Sequence, residues 1–512
     1  MSSGFKAPDG TDLDDIFEPI SGYSPVADTG FKTSDNKDLS ERYAPIAEGD
    51  SISFNTRLKS VSHGGDLKHV FAKKGTTAAG SINPDSGYFT TASFYVPEGW
   101  LNQSDNTVYI NVYTPEKDTK VTVSRVDKSY STTRTSSYDS EVLVFKESTS
   151  GYKNANNAGG YGVPRAGERG AIESDKPIIA ACVRQAMAAT GGFEIMPKVA
   201  AGTQYYTTLV KSSGASSGYK WSFLPLKLPC QYNIDGGEWK ALTSSPLHIT
   251  DSDSLITFDE PTVATYRADM QNRAYDAVAD ILTPLNRCGF EYVIPGIDIS
   301  PSSTNYADNQ NITITAIDAA DITVTSSSGV QTVSVPAGEV WSREKSRLDT
   351  TNNKWEILKH DTDQLHISST GRLNIVVCNR LTDRSGDPDV CTIPPIGAGI
   401  KETGFSSKYH GYLNSYAMFV TVPASGKDSF KLQRITGSYN RWSRGYTTTT
   451  EEISMTWSSE INGYVTGRAI ALKEGGYKVT CDERFLAYAF GGSRNVESAY
   501  YCLGRNWLKT YY

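Results

Sequence analysis

From about residue 88 to the end of the chain, apolar and polar residues alternate with a period of two. In TVYINVYTP, Val108, Ile110 and Val112 share one face of an extended segment, and Tyr109, Asn111 and Tyr113 share the other. Val121 and Val123 repeat the pattern in KVTVSRV, and Ile312 and Ile314 alternate with Thr313 and Thr315 in NITITAID. Successive side chains of a strand point to opposite faces, so these segments are expected to be strands with one buried face. Gly, Asp, Asn and Pro punctuate them at short intervals, which predicts sandwiches or barrels. The main helical candidate in this region is RADMQNRAYDAVADIL (267–282), with Met270, Ala274, Ala277, Val278 and Ile281 at helical spacing ahead of Pro284; the stretch also reads as a long irregular connection. The low-complexity stretches 129–140 and 149–162 read as exposed loops within a β domain.

The first seventy-five residues follow a different rule. GFKAPDGTDLDDIFEPI (4–20) returns as GFKTSDNKDLSERYAPI (30–46), identical at eight of seventeen positions, and a looser copy follows in LKSVSHGGDLKHVF (58–71). Asp12 and Asp38 stand where a helix N-cap would, each with an acid three residues on, and Pro19 and Pro45 stop the helix after little more than one turn. Leu13 and Phe17, or Leu39 and Tyr43, then share a face. Phe5 and Phe31 add an aromatic from the preceding extended residues, and Leu58, Leu67 and Phe71 mark the third unit. A unit this short cannot bury its own apolar face. These nine residues are the expected docking interface, each buried side chain contributing roughly 1.5–3 kcal/mol, on a repeated or symmetric receiving surface.

A longer repeat underlies the β-rich region. Pro197 and Gly202, Pro284 and Gly289, and Pro394 and Gly399 each stand five residues apart with an aromatic following, and the spacings of 87 and 110 residues match one β-sandwich. The fold expected is therefore all-β: an N-terminal repeat arm (1–75), then tandem sandwich modules over 85–212, 213–300, 301–400 and 401–512.

Composition narrows the function. A net charge of -7 with 21% charged residues gives no broad electrostatic reason to expect nucleic acid or an anionic membrane as partner. No apolar run is long enough to span a bilayer, and there is no basic-then-apolar leader, so membrane insertion is not expected. The seven cysteines (182, 230, 288, 378, 391, 481, 502) include no Cys-x-x-Cys pair, which argues for reduced, mostly buried thiols.

Catalytic and cofactor motifs are weak. GASSG (214–218) has the spacing of a nucleophile elbow but lies in a Ser/Gly loop without the strand-turn-helix setting. His360, Asp361, Asp363 and His366 form the one local cluster of ligand-type residues, read as a solvated turn. The Asp9, Asp12, Asp14 and Asp15 spacing departs from the EF-hand loop. No metal, cofactor or catalytic residue is expected. Exposed aromatics are the remaining candidates: SYNRWSRGY (438–446) interleaves Tyr439, Trp442 and Tyr446 with Arg441 and Arg444, a composition suited to stacking on sugars or to a protein hot spot.

Two resemblances join these readings. GRLNIVVCNRLTDRSGDPDVCTIPPI (371–396), the CGFEYVIPGI to PAGEVW stretch (288–341) and GGYKVTCDERFLAYAFGGSRNVESAYYCLG (475–504) resemble the N-terminal domain of the IgG Fc-binding protein family, over roughly 170–505. That resemblance implies an adhesion-type β-sandwich scaffold without a catalytic centre; antibody binding does not carry over, because no recognition residue matches. The 4–72 repeats resemble the start of structural and tail-fibre-like proteins of tailed bacteriophages, which implies assembly in a host cytoplasm into a virion. The expected partners are other virion proteins, sister subunits in a homo-oligomer, and a host-surface glycan or protein. A fibre-borne glycan depolymerase and an adhesion protein unrelated to phage are the alternatives.

Overall fold

The computed structural model describes residues 18–19, 71–72, 85–98, 107–147, 159–160, 162–185, 190–208, 219–269, 277–296, 310–327, 329–343, 364–379, 389–407, 415–492 and 498–511. Every regular element among them is a strand or a short 3-10 turn. β1 (Glu18–Pro19) and β2 (Phe71–Ala72) pair antiparallel, and the other strands form four modules. The first holds β3 (Phe89–Tyr95), β4 (Thr107–Thr114), β5 (Lys120–Arg125), β6 (Tyr130–Thr135), β7 (Glu141–Glu147), β8 (Gly159–Gly160), β9 (Arg169–Gln185) and β10 (Thr190–Glu194). The second holds β11 (Gly202–Tyr206), β12 (Tyr219–Pro225), β13 (Cys230–Ile234), β14 (Lys240–Leu242), β15 (Leu247–Ile249), β16 (Leu255–Asp269) and β17 (Ala277–Ile281). The third holds β18 (Gly289–Ile294), β19 (Gln310–Ala316), β20 (Ala320–Ser326), β21 (Gly329–Val335), β22 (Val340–Arg343), β23 (Leu365–Asn379) and β24 (Asp389–Ile393). The fourth holds β25 (Ile400–Ser406), β26 (Ser415–Pro423), β27 (Lys431–Asn440), β28 (Gly445–Ile453), β29 (Thr456–Trp457), β30 (Tyr464–Ala469), β31 (Gly476–Gly492) and β32 (Ser498–Cys502).

All four modules share one plan. A long strand, β9, β16, β23 or β31, serves two sheets: its first half pairs with the module's first strand and with the inner strand of a hairpin, and its second half with the module's second and last strands. The first strand always carries a register shift near its start, between Phe89 and Thr91, Gly202 and Gln204, Gly289 and Glu291, and Ile400 and Glu402. Across each shift the first strand advances two residues while the long strand advances five, so the irregularity lies in the long strand, where it passes from one sheet to the other. Pro197, Pro284 and Pro395 each precede a single 3-10 turn that leads into β11, β18 and β25. The third linker is thus set by Pro395, one residue after the Pro394 expected from spacing, and Ile400 takes the place that Gly202 and Gly289 hold. The glycines answer to packing: a Cβ on Gly202 would meet Pro284, and one on Gly289 would meet Pro395, at 2.4 and 2.5 Å. Pro284 and Pro395 thereby seat on the start of the preceding module, and β11 and β18 open the second and third modules where residues up to 212 and 300 were expected in the modules before them.

The modules close into a ring, because each core is completed by its neighbour. The first core includes Val263, Ala279 and Ile281 of the second module, and the second includes Val376 and Val390 of the third. The third takes Phe419, Leu486, Tyr488 and Phe490 of the fourth, and the fourth takes Tyr109, Ala181 and Val183 of the first. The last strands β10, β17, β24 and β32 meet around the middle of the ring.

Closure changes several expectations. Tyr109, Asn111 and Tyr113 do not face solvent but are buried against the fourth module, where the Tyr113 ring occupies the space that a Cβ on Gly404 would need. Thr313 and Thr315 are buried too, and the Thr315 hydroxyl hydrogen-bonds Thr208 of the second module at 2.9 Å. The candidate helix at 267–282 is instead the end of β16 and all of β17, paired from Asp269 opposite Ala277 to Thr265 opposite Ile281. Val278, Ala279, Asp280 and Ile281 are all buried, so this strand has no alternating face and its apolar residues imitate helical spacing. Within 129–140, expected as loop, Tyr130–Thr135 forms β6, an edge strand joined to β5 by a Thr122–Thr133 hydroxyl contact of 2.8 Å.

Candidate functional site

The β27–β28 hairpin is the site the sequence pointed to. β27 pairs with β31 only through Lys431–Ile435, while its pairing with β28 continues to Asn440 opposite Gly445. The outer half of the hairpin therefore stands clear of its own sheet, and β28 is exposed along most of its length. Asn440 shapes the turn: its Oδ1 accepts the backbone N–H of Trp442 at 2.9 Å and that of Ser443 at 3.3 Å, and Arg444 closes the loop with a left-handed φ of 53°. An Asx-type turn of this kind holds the backbone while leaving the intervening side chains free.

The three expected aromatics come together here. Tyr439 and Tyr446 are opposite each other in the ladder, with ring centroids 5.4 Å apart in an edge-on arrangement. Trp442 sits on the loop at 96% exposure, against 54% and 45% for Tyr439 and Tyr446. The spacing could not show the fourth ring: Tyr138, in the β6–β7 turn of the first module, lies 5.6 Å from Tyr446. Gly437 admits it, since a Cβ at that position would meet the Tyr138 ring at 2.4 Å. Burial, the nearby Glu141 and Tyr446 raise the Tyr138 hydroxyl pKa, and a hydrogen bond with the Gly437 backbone opposes them. Its only sequence signal was a tyrosine in an otherwise Ser/Thr-rich turn, with nothing to link it to a hairpin three hundred residues on.

Of the nine expected docking residues, Phe71 stands in β2 opposite Pro19. Phe5, Leu13, Phe17, Phe31, Leu39, Tyr43, Leu58 and Leu67 lie outside the described residues, as do GASSG and the acidic run at 9–15. His360, Asp361 and Asp363 lie outside them as well. His366 is buried between the third and fourth modules, its Nε2 2.8 Å from Glu291 and its Nδ1 3.1 Å from the Asn462 amide. Its partners make it a joint between modules.

A second polar group lies at the ring centre. Arg505 donates from Nε to Glu194 Oε2 at 3.1 Å, both side chains almost wholly buried, and its guanidinium lies 4.8 Å from the Trp507 ring. Asp280 accepts the backbone N–H of Thr392 at 2.6 Å and of Ile281 at 2.7 Å. Burial pushes Glu194 up to about 7 against the opposing pull of Arg505, and pushes Asp280 up to about 6 against its hydrogen bonds. Burial would lower Arg505, but Cys502, Glu194 and Asp280 outweigh it and hold its pKa above the usual value. A narrow cleft between the first and fourth modules reaches Glu194 past Asn111, Tyr113 and Cys502. The carboxylate it reaches is already paired, so the cluster acts as a clasp on the ring. The sequence signal, an acid within the apolar stretches GGFEIM and AVADIL, was visible but unplaced.

The six cysteines whose side chains are described are buried. Among the described residues no three His, Cys, Asp or Glu side chains gather as a metal site, and no helix is long and apolar enough to cross a membrane.

Fold and tip together define a ring-shaped β-sandwich scaffold that presents an aromatic hairpin. The family model described as IgGFc binding protein matches residues 247–491, from the β15 strand of the second module to the long strand of the fourth, within the 170–505 span of the resemblance. Over that stretch the chain is similar to this family. Comparison with curated proteins finds no match.

Proposed function

We propose that this chain is a non-catalytic, adhesion-type structural protein of a tailed-phage particle, docked by its N-terminal repeats to other virion subunits and offering the β27–β28 tip to a host-surface glycan or protein. The observation that carries the binding role is Trp442, a large apolar ring left 96% exposed on a turn whose backbone is fixed. A tryptophan in water without a packing role forgoes the burial that would stabilise it, and such rings are the residues that dominate binding interfaces. The similarity to the Fc-binding family supports an adhesion scaffold, and the 4–72 repeats support the virion assignment.

Binding of the fluorescent full-length chain to host cells tests the tip. Trp442→Ala is expected to reduce cell binding at least tenfold with unfolding unchanged, and undiminished binding would overturn the reading. Reproducible release of oligosaccharides from host polysaccharide would overturn the non-catalytic part. Deleting residues 1–75 is expected to leave a folded β protein that no longer joins particles; normal incorporation would overturn the docking role.

A further inference from the structure

The hairpin tip differs in charge from the rest of the molecule. The chain carries a net -7, yet between Thr436 and Thr450 its only charged residues are Arg441 and Arg444. Both are exposed, and neither makes an ion pair among the described residues. The hairpin's acids, Glu451 and Glu452, sit at the opposite end of β28, where Glu451 is engaged by Arg434 at 3.3 Å. Two unengaged guanidiniums thus flank the most exposed aromatic ring described.

The rings touch in series. Tyr138, seated at Gly437, lies 5.6 Å from Tyr446, which lies edge-on 5.4 Å from Tyr439 across the hairpin, and the turn carrying Trp442 follows that pair. The steps are comparable with the advance from one sugar to the next along a polysaccharide. Aromatic faces attract the C–H side of a pyranose, whereas a planar guanidinium pairs with a carboxylate in bidentate fashion. Tyr138 belongs to the first module and the other rings to the fourth, so the series exists only when the ring of modules is closed.

From this arrangement we infer that the β27–β28 tip together with Tyr138 is a binding site for an acidic polysaccharide, whose sugar rings lie along the tyrosine series and Trp442 while its carboxylates pair with Arg441 and Arg444. The inference rests on the proposed role of the tip and names its ligand class. No covalent step is involved.

The test is titration of the full chain with polygalacturonate, polysialic acid and alginate, with neutral dextran and poly-glutamate as controls. At least one acidic polysaccharide is expected to bind at low salt at least tenfold more tightly than either control, and to weaken as salt screens the arginines. The double variant Arg441→Gln/Arg444→Gln is expected to lose tenfold or more and most of the salt dependence. Trp442→Ala is expected to lose tenfold, and Tyr138→Leu severalfold, with unfolding followed in parallel so that an opened ring is recognised. Equal binding of dextran would overturn the acidic assignment, and equal binding of poly-glutamate would overturn the sugar assignment. Binding to none of the acidic polymers would also overturn the inference, while Trp442-dependent binding to host cells in the same preparation would leave the proposed function standing. Loss of Trp442 dependence in both assays would overturn both.

Discussion

Arg505 and Arg441 are both guanidiniums of the fourth module with a tryptophan close by in sequence, yet they do opposite things. Arg505 is buried, paired with Glu194 and set over Trp507, and it holds the first and fourth modules together. Arg441 stands in solvent beside the exposed Trp442 with no ion pair among the described residues. Residue type alone assigns neither role; satisfaction does. A buried charge must be paired where it lies, or burial becomes too costly, whereas an unpaired group at the surface is available to a partner.

The contrast is broken most severely from the buried side. Trp507 is almost fully buried in the first module's core, although it follows the last strand of the fourth. Trp507→Ala removes that plug and the face on which Arg505 rests, and is expected to cost about 3–5 kcal/mol, read as a lower denaturation midpoint. Because every core is shared, the loss should appear in a single transition for all four modules; separate transitions would show that the ring is not one cooperative unit.

Arg505→Met is expected to cost about 3–5 kcal/mol at pH 8, where it leaves buried carboxylates without a counter-charge. The cost should be smaller at pH 5, because Glu194 and Asp280, raised to about 7 and about 6, then hold protons. An equal cost at both pH values would remove the carboxyls from the account.

The sign for Glu194 alone follows from linkage. Its unfolded-state value is near 4.3 and its folded value is raised, so between roughly pH 4 and 7 the folded chain holds a proton that the unfolded chain has released. This carboxyl therefore favours the fold at low pH, and its contribution falls as pH rises through that window. Glu194→Gln keeps an acceptor for Arg505 but cannot ionise. Relative to the unaltered chain it should gain about 3 kcal/mol between pH 4 and pH 8, and a constant difference across that range would sink the assignment.

Much of the outer architecture could be read from the residues, and the ring could not. Val121 and Val123 alternate with less buried neighbours in β5 as their pattern implies, because that strand lies in an outer sheet covered on one side. Tyr109, Asn111 and Tyr113 have equally polar character but face another module. Tyrosine, asparagine and threonine serve a solvent face and a module interface alike, so alternation reports one buried face and is silent about the other. The linker prolines were legible as a spacing; their register was not, because Pro394 and Pro395 are adjacent and only the packing of Pro395 on Gly289 decides between them. At the tip, Tyr439, Trp442 and Tyr446 were legible because one hairpin carries all three. Tyr138 was not, because closure of the ring brings it there.

The smallest expected effect on stability is at the tip, and it is the sharper side of the comparison. Trp442 is the largest side chain of its turn, but it is 96% exposed and no ring contact of its own is described, so Trp442→Ala removes almost no packing. The Asn440 hydrogen bonds that hold the turn are made by backbone N–H groups and survive the substitution. The denaturation midpoint should therefore move by less than the equivalent of about 0.5 kcal/mol, against the several expected at Trp507. A large loss of stability would mean that Trp442 packs within the molecule or against a sister chain, and its exposure would no longer speak for a ligand. A silent substitution that still abolishes host binding would separate the two tryptophans cleanly: one exchanged for stability inside the ring, the other kept in water for something outside it.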